Sequence, residues 1–315
     1  MNKGKILITG AAGFIGMDLC SNAVRAGYEV QAIDAFRDGL YSSQVKKTRA
    51  KRLHELFGIE VGRVDLSQDS FEVQNDLTHV IHAAAMPGLS YSFYDPNQYI
   101  SDNEVATLNL VRSFENTTLE KFVLISTSSV YGKYADGDEG TEPKPISPYG
   151  LTKLAAEKIA ELYLSEITNY SIARLFSVYG PGQRPDMGFF NFIDSVLNDR
   201  QITIFGDGSQ SRSNTFISDA VEGIFGVLEE GKDGEKYNIG GGEEVPLLEA
   251  IDTIYGIAGK KPNLVFGDPR PGDQQRTRAD TTKAKRDFDY SPSTSFKDGI
   301  RAQFEWQKSS NLIRS

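Results

Sequence analysis

The stretch KILITGAAGFIG, residues 5–16, decides the fold of this chain. Its first five residues form a short, mostly apolar run, as expected of a β-strand that is covered on both faces. A loop with glycine at positions 10, 13 and 16 follows, and the pattern from Met17 to Gly27 predicts a helix that ends in glycine. Strand, glycine loop and helix in this order direct backbone N–H groups and a helix N-terminus at an anion such as a pyrophosphate.

The strands that come next predict the rest of a dinucleotide site. A second strand, Glu29–Ile33, ends at Asp34, where a carboxylate can bond both ribose hydroxyls and repel a 2′-phosphate, which favours NAD over NADP. Arg37 is a nearby positive charge that works against this preference. A fourth strand runs into small residues, which would let a flat cofactor approach the backbone. The predicted cofactor-binding residues are Gly10, Gly13, Phe14, Ile15, Gly16, Asp34, Asp65, Leu66, Ala83, Ala84, Tyr149 and Lys153.

Alternation of strands and helices continues to about Leu175 and predicts an α/β fold with a doubly wound, parallel Rossmann sheet. A long helix is expected at 103–115. Beyond Gly180 the alternation breaks down and turn signals multiply, which predicts a smaller, mixed α/β lobe over the open ends of the strands. The predicted division is a cofactor domain of residues 1–176, to which 215–235 return, and a nucleotide-sugar lobe of residues 177–214 and 236–315.

Composition excludes several classes of protein. The net charge of −9 over 315 residues argues against nucleic acid or an anionic membrane as a partner, and the basic helix at 43–56 is interpreted as a solvated face. No apolar run is long enough to span a bilayer, and no signal-peptide pattern precedes the first strand, so the cytoplasm is the expected compartment. The single cysteine and the spacing of the three histidines predict no disulfide and no metal.

The sequence YGLTK at 149–153 opens an amphipathic helical pattern and places Tyr149 and Lys153 on one face. A lysine ammonium stabilises a nearby phenolate, so the pair is suited to take a proton from a hydroxyl and return it. By spacing alone, the two residues are better explained as surface side chains at a helix start. The remaining motifs decide between these readings.

The glycine loop, the segment STSSVYG at 126–132 and the YxxxK pattern occur in an order that resembles the extended short-chain dehydrogenase/reductases, the nucleotide-sugar epimerases and dehydratases. The resemblance extends from Lys5 to about Trp306. It implies that Thr127 bonds the sugar hydroxyl being oxidised, that Tyr149 removes its proton, and that Lys153 bonds the nicotinamide ribose and lowers the tyrosine pKa. In the 4-epimerase branch, NAD accepts a hydride from the sugar and returns it to the opposite face.

The two residues after Thr127 favour one branch of that family. The dehydratases have an Asp-Glu pair there and the decarboxylases a glutamate, whereas this chain has Ser128 and Ser129. Serine is a weak acid and base, but its hydroxyl donates well to a carboxylate. Epimerisation at carbon four without elimination is therefore expected. A dehydratase or decarboxylase with unrecognised acids and a non-catalytic NAD-binding scaffold are the alternatives.

The segment RPDM at 184–187, followed by GFF, is similar to UDP-glucuronate 4-epimerases. By that likeness Ser177, with Ser128 and Ser129, faces the sugar carboxylate, and Arg184 orders the site or anchors its loop. One departure is Ser90, which stands where these epimerases tend to carry arginine. UDP-glucuronate is thus the first expected substrate, and UDP-glucose or UDP-N-acetylglucosamine the second.

The likeness also implies contacts with the UDP group and a partner subunit. Arg212 and Arg270 match the arginines that hold the diphosphate, and guanidinium groups suit such contacts. Asn191 is expected to bond the diphosphate or sugar, or else to cap a helix beginning at Phe192. The apolar faces of the helices at 103–115 and 149–167 are expected either to pair in a homodimer, as in many family members, or to be core faces.

Overall fold

A parallel β-sheet forms the centre of the computed structural model, which describes residues 3–74, 76–115, 117–241, 243–269 and 273–310. The strands of these ranges are β1 (Lys5–Thr9), β2 (Glu29–Asp34), β3 (Val61–Arg63), β4 (Leu77–His82), β5 (Lys121–Thr127), β6 (Tyr134–Ala135), β7 (Tyr170–Leu175), β8 (Val178–Tyr179), β9 (Ile202–Phe205), β10 (Ser211–Ser213), β11 (Thr215–Phe216), β12 (Glu235–Ile239), β13 (Glu244–Pro246), β14 (Leu264–Gly267) and β15 (Arg276–Thr277). The helices are α1 (Phe14–Ala26), α2 (Ser43–Phe57), α3 (Leu89–Tyr94), α4 (Pro96–Tyr99), α5 (Ala106–Arg112), α6 (Pro148–Leu164), α7 (Gly188–Leu197), α8 (Ile217–Glu229), α9 (Leu247–Ala258), α10 (Thr282–Phe288) and α11 (Phe296–Ser309), with a π-helix at Ile100–Val105 and a 3-10 turn at Ser128–Tyr131.

The central sheet has the order β12-β7-β5-β4-β1-β2-β3, and each neighbouring pair is parallel. The chain moves outward from β1 on one side and from β4 on the other, so the strand order reverses between these two strands. Ligands bind at the carboxyl ends of the strands beside such a reversal. The predicted doubly wound Rossmann fold is therefore confirmed, and its switch point lies at the glycine loop.

Helices cover both faces of this sheet, which explains the continuously apolar strands. Every residue of β5 and β7 is buried. One apolar core joins the sheet to α1 and α8, and the other joins it to α5 and α6. Strands buried on both faces cannot alternate apolar and polar residues, which is why the sequence shows runs instead.

A smaller lobe lies beyond β7, as the turn-rich sequence predicts. Its core packs α7, α9 and α11 together, with Ile193, Ile251 and Ile300 fully buried between them. Short strands complete it in a four-stranded sheet of order β13-β10-β15-β6 and in the pair β14-β9. The mixed α/β character expected for this lobe is observed.

Three predicted boundaries need correction. The helix expected at 103–115 is divided between the π-helix and α5 and ends at Arg112, and the helix expected from Met17 begins at Phe14. The segment from residue 236 onward was assigned to the substrate lobe, but β12 pairs with β7 in the central sheet and α10 packs on β12 and α8. These contacts could not be anticipated because they join residues far apart in sequence. The functional division into two domains stays a prediction.

Helix α6 begins one residue before Tyr149. Ser147 is its N-cap, with Oγ accepting from the Gly150 backbone N–H at 3.1 Å, and Pro148 occupies the first helical position. Across the described part of the chain, no helix combines the length and apolarity that crossing a bilayer requires. In the same residues no group of three or more His, Cys, Asp or Glu side chains is placed to hold a metal ion. The cytoplasmic location and the lack of a metal stay predictions.

Candidate active site

A cavity of about 630 Å³ lies at the carboxyl ends of β1, β4 and β5, beside the strand reversal, and reaches under the smaller lobe. It brings together most residues singled out by sequence, namely Gly10, Gly13, Phe14, Ile15, Gly16, Asp34, Asp65, Leu66, Ala83, Ala84, Thr127, Ser128, Ser129, Tyr149, Lys153, Ser177, Arg184 and Arg212. Asn191 is not among its lining residues: it is exposed in the first turn of α7, with Nδ2 donating to the Met187 carbonyl at 3.0 Å. Arg270 lies outside the described residues.

The glycine loop is shaped by close backbone contacts. Gly10 has a φ of +68°, and a Cβ there would lie 2.8 Å from the backbone nitrogen of Ala84. A Cβ on Gly16 would lie 2.0 Å from the Gly10 carbonyl oxygen. Helix α1 begins directly behind this loop with Gly13 as its N-cap, and no side chain caps its amides. Backbone N–H groups at a helix N-terminus are thus presented to the cavity, as pyrophosphate binding requires.

The adenosine end of the cavity has the groups expected for NAD. The Asp34 carboxylate accepts hydrogen bonds from the backbone nitrogens of Ala12 at 3.1 Å and Phe36 at 2.7 Å, which fixes it beside the glycine loop. Arg37, the residue that works against NAD, is paired through Nη2 with Asp65 at 2.7 Å and Asp102 at 2.9 Å. Two carboxylates therefore balance its charge, so it is poorly placed to attract a 2′-phosphate. The Asp34 carboxylate, the backbone N–H groups at the start of α1 and the closely packed glycine loop therefore fit NAD.

Thr127, Tyr149 and Lys153 meet where β5 and α6 converge on the cavity. Thr127 ends β5, its Oγ1 donates to Ser129 Oγ at 3.2 Å, and α6 carries the other two residues. Burial raises the pKa of the Tyr149 phenol, while a hydrogen bond with Thr127 and the charge of Arg184 oppose that rise. Burial lowers the pKa of Lys153 to about 8, and Glu157 opposes this change. Buried groups with shifted pKa values beside a cavity are typical of a proton-transfer site.

Two residues that the sequence analysis did not single out hold this arrangement. Tyr99 packs edge-on against Tyr149, with ring centroids 6.1 Å apart, and its hydroxyl donates to the Pro87 carbonyl at 2.7 Å. Asn103, in the π-helix, accepts from the Met86 backbone nitrogen at 2.7 Å and donates to Thr152 Oγ1 at 3.0 Å. Both tie the loop after β4 to α6. An asparagine within an apolar helical pattern was the available signal for Asn103.

His82 behaves as the packing residue that its apolar strand suggests. It is fully buried, with Nδ1 bonded to Thr9 Oγ1 at 2.8 Å and Nε2 to Thr107 Oγ1 at 3.0 Å. Burial lowers its pKa to about 3, so the imidazole is neutral. Because both ring nitrogens are used within the core, His82 is not available as a proton carrier for the cavity.

The basic helix α2, interpreted from sequence as a solvated face, is partly turned inward. Arg49 is buried and its Nη2 donates to the Gly182 carbonyl at 2.7 Å, while Nη1 reaches the Ala12 carbonyl at 3.4 Å. Lys46 lines the cavity and donates to the Arg37 carbonyl at 3.0 Å. Arg49 therefore joins the glycine loop to the loop after β8, a role that periodicity alone does not reveal.

The end of the cavity beneath the smaller lobe is lined by neutral hydrogen-bonding side chains and two arginines. Ser128, Ser129 and Ser177 line it, together with Gln274, whose Nε2 donates to the Gly132 carbonyl at 2.8 Å. Arg184 forms a two-point ion pair with Asp186, with N–O distances of 2.9 and 2.8 Å. Arg212 also lines the cavity and donates to the Ser211 carbonyl at 3.0 Å. Gln274 had no recognisable signal in the sequence.

A dinucleotide-binding loop beside a buried tyrosine–lysine pair defines this protein as a Rossmann enzyme of the short-chain dehydrogenase/reductase type. A model of the NAD dependent epimerase/dehydratase family matches residues 6–240. The chain therefore belongs to that family, which confirms the resemblance, and its cofactor is NAD.

Several relatives match along almost their whole length. The uncharacterised UDP-glucose epimerase YtcB of Bacillus subtilis is 39% identical over 312 residues, which cover 97% of this chain and 98% of the relative. A UDP-glucuronate 4-epimerase of Thermodesulfobacterium geofontis is 32% identical and covers 99% of both chains. The crystal structure of the Bacillus cereus UDP-glucuronic acid 4-epimerase with UDP-glucuronic acid and NAD has a TM-score of 0.90 at 37% identity, covering 96% of this chain and 99% of that one.

The glycine cradle yields a direct prediction for cofactor binding. Gly16→Ala places a Cβ against the Gly10 carbonyl oxygen, so the loop must shift. We expect NAD affinity, measured by isothermal titration calorimetry, to fall at least tenfold, a loss of about 1.4 kcal/mol. The matched control is Gly256→Ala in α9, where an added Cβ meets no atom within 4 Å. Unchanged affinity in the Gly16 variant would contradict the assignment of this loop to the cofactor.

Proposed function

We propose that this protein is an NAD-dependent nucleotide-sugar 4-epimerase that acts on a UDP-sugar. The observation that carries the proposal is the convergence of Thr127, Tyr149 and Lys153 on the cofactor cavity, next to serine side chains in place of acids. Membership of the epimerase/dehydratase family and the names of the relatives support the same reaction class.

The proposed chemistry divides between the bound group and the chain. NAD, when bound, accepts a hydride from carbon four of the sugar and later returns it. The Tyr149 phenolate takes the proton of the sugar hydroxyl on that carbon. Thr127, which is hydrogen-bonded to Tyr149, holds this sugar hydroxyl in position for the proton transfer. The ammonium of Lys153 stabilises the phenolate and binds the cofactor ribose. The same tyrosine returns the proton when the opposite face is reduced, so the reaction leaves no net redox change.

Elimination and decarboxylation are disfavoured because no free carboxylate is described next to Thr127 in the cavity. Both reactions of the related branches use carboxylates after the threonine, and here the side chains are Ser128 and Ser129. Asp186 also lines the cavity, but both of its oxygens accept from Arg184. Because both carboxylate oxygens of Asp186 are occupied by Arg184, neither is free to exchange a proton with a bound sugar. This arrangement supports epimerisation over the dehydratase and decarboxylase alternatives.

UDP-glucuronate is the first proposed substrate. The hydroxyls of Ser128, Ser129 and Ser177 lie in the part of the cavity where donors can bind the sugar carboxylate, and relatives described as UDP-glucuronate 4-epimerases support this choice. UDP-glucose is the second candidate, favoured by Ser90, which lines the cavity without a positive charge, and by the similarity to YtcB. UDP-N-acetylglucosamine is a further neutral alternative.

The smaller lobe is proposed to hold the UDP group. Arg212 lines the cavity from β10, where its guanidinium can reach a diphosphate, and Arg270 is proposed as its companion from the sequence alone. The lobe beyond β7, without α8, β12 and α10, is thus the proposed substrate domain. The remaining sheet is the proposed cofactor domain, and the cytoplasm is the proposed compartment.

A homodimer through the α5 and α6 side of the sheet is also proposed. Leu151 and Leu162 of α6 are 58% and 74% exposed, and they are eleven positions apart, about three helical turns, so they lie on one outward face. Beside them the π-helix exposes Ile100 and Val105, at 44% and 38%. Large apolar side chains exposed together mark an interaction surface. These exposed side chains belong to the helical segments that the sequence analysis expects to pair, and this supports the pairing of two copies.

A charge placed on that face tests the dimer. We expect Leu162→Glu to convert the protein from dimer to monomer in sedimentation velocity, because a buried unpaired carboxylate opposes association. Leu56→Glu on α2, a leucine that is also 58% exposed but packs on the other side of the sheet, should leave the dimer intact. A wild-type monomer, or equal sedimentation of both variants as dimers, would contradict the proposed interface.

The tyrosine provides the sharpest test of the catalytic assignment. Tyr149→Phe removes the proton acceptor but little volume, so we expect kcat to fall by about 10²- to 10⁴-fold. UDP-sugar affinity, measured by calorimetry, should stay close to that of the wild type. Tyr134→Phe, at a tyrosine that is 53% exposed and does not line the cavity, is the control. Full turnover in the Tyr149 variant would remove this residue from the mechanism.

The substrate is tested by NMR of the products formed from UDP-glucuronate, UDP-glucose and UDP-N-acetylglucosamine. We expect inversion at carbon four, without change of mass, and highest kcat/KM for UDP-glucuronate. A product of lower mass identifies a dehydratase or decarboxylase instead. Absence of any product from a protein that binds NAD would favour the non-catalytic scaffold.

A further inference from the structure

A buried ion pair lies in the core directly behind the catalytic residues. Glu157 of α6 is fully buried and Arg174 of β7 is 1% exposed. Arg174 donates through Nε to Glu157 Oε1 at 2.9 Å and through Nη2 to Oε2 at 2.7 Å. Such a pair contributes little net stability, because removing both charges from water costs about as much as their attraction returns. Net stability therefore does not explain why the pair lies at this position.

The pair is joined to the catalytic elements on two sides. Glu157 follows Lys153 by four residues, so the two side chains lie on the same face of α6. Ser126, the neighbour of Thr127 in β5, donates from Oγ to Glu157 Oε1 at 2.5 Å. Through one carboxylate, the strand that positions Thr127 is therefore fixed against the helix that carries Tyr149 and Lys153.

The arginine of the pair is fixed in turn by the 3-10 turn after Thr127. Arg174 Nη1 donates to the Tyr131 hydroxyl at 2.9 Å, and this hydroxyl donates to Asn238 Oδ1 at 2.7 Å. The guanidinium carbon also lies 4.9 Å from the centre of the Tyr131 ring. The network thus spans β5, the turn, α6, β7 and β12. Glu157 is the only carboxylate in this set of side chains, and it is the member next to Lys153.

We propose that Glu157 is a positioning residue for the epimerase reaction, which keeps the Lys153 ammonium charged in its buried site and holds Thr127 in register with Tyr149. The proposal rests on the proposed function, because it assigns a task to Glu157 within that site. Arg174 has a supporting task, since its two-point ion pair balances the carboxylate and holds it in place.

The charges that face Lys153 support this assignment. Burial lowers the pKa of Lys153 to about 8, and Glu157 is the group that raises it again. From β4 the neighbouring imidazole of His82 is neutral, and from the loop after β8 Arg184 is occupied by Asp186. On α6 itself Tyr149 is the other titratable group of that face. No carboxylate among the described residues lies within ion-pair distance of the Lys153 ammonium, so the charge of Glu157 acts across one helical turn.

The direction of the expected pH effect follows from the pKa of Lys153. Lys153 must be protonated to stabilise the Tyr149 phenolate, so activity falls as the pH rises through the pKa of this lysine. Removing the negative charge of Glu157 lowers that pKa further. The alkaline limb of the kcat profile should therefore move to lower pH.

The test compares pH profiles of kcat for the wild-type holoenzyme and Glu157→Gln, which keeps the size and an acceptor for Ser126. We expect the alkaline midpoint to move down by about one pH unit. NAD affinity, followed by calorimetry, should fall several-fold more between pH 6.5 and pH 8.5 in the variant than in the wild type. Glu161→Gln, one turn further along α6 and paired with Lys158 and Lys236, is the control and should change neither quantity.

A second variant separates charge from folding. Glu157→Gln leaves Arg174 buried without a partner, whereas the double variant Glu157→Met with Arg174→Met removes both charges and preserves much of the volume. We expect the double variant to unfold at a higher temperature than Glu157→Gln but to keep the lowered alkaline midpoint. A wild-type midpoint in both variants, with only stability changed, overturns the proposal. A wild type that binds NAD but epimerises no UDP-sugar overturns the proposed function instead.

Discussion

The architecture depends on a steric constraint at the end of β1: Gly16 lies so close to the Gly10 carbonyl oxygen that a Cβ would be 2.0 Å from it. This contact brings the N-terminus of α1 against the end of the strand, and the close approach of Gly10 to the Ala84 nitrogen fixes the loop against β4. The strand reversal between β1 and β4 then opens a cavity into which backbone N–H groups point. The candidate site residues gather at that opening, because β5 ends there beside β4 and α6 reaches it from the face of the sheet opposite α1.

Several positive charges at and behind the cavity are balanced in place. Arg37 is paired with Asp65 and Asp102, Arg184 with Asp186, and Arg174 with Glu157. Lys153 is more deeply buried than Arg37 or Arg184, at 3% exposure, yet within the described residues it has no direct ion-pair partner. A buried charge without a contacting counter-ion is costly, and folded proteins retain such groups mainly at functional sites. The cost at Lys153 is consistent with an ammonium kept for the phenolate and for the cofactor.

Sequence periodicity predicted the parts of the fold whose signal is local. The strand at residues 5–9 has the bounds expected of it, because it is a short apolar run that ends at turn residues. The glycine loop is shorter than expected, since α1 begins at Phe14 and not at Met17. The π-helix was not predictable, since one extra residue in a turn leaves the apolar pattern almost unchanged. The roles of Tyr99, Arg49 and Gln274 were missed for a different reason: their partners are 11 to 146 residues away in sequence. Composition says nothing about which of several arginines on a helix turns inward.

Under the proposed function, the chemistry around carbon six of the sugar explains why relatives with different named substrates share this site. Ser128, Ser129 and Ser177 are neutral hydroxyls that both donate and accept hydrogen bonds, so they match a carboxylate and a hydroxymethyl group alike. A net positive charge would favour the carboxylate, but Arg184 shares its charge with Asp186 and position 90 is a serine. Under the proposed function, discrimination between a carboxylate and a hydroxymethyl group at carbon six depends on whether Arg184 releases Asp186 and binds the substrate carboxylate instead. A guanidinium binds either carboxylate in the same two-point geometry. We therefore propose that substrate choice in this chain is a competition between two carboxylates for Arg184, whereas the proposed hydride and proton steps at carbon four depend on residues that this competition leaves in place.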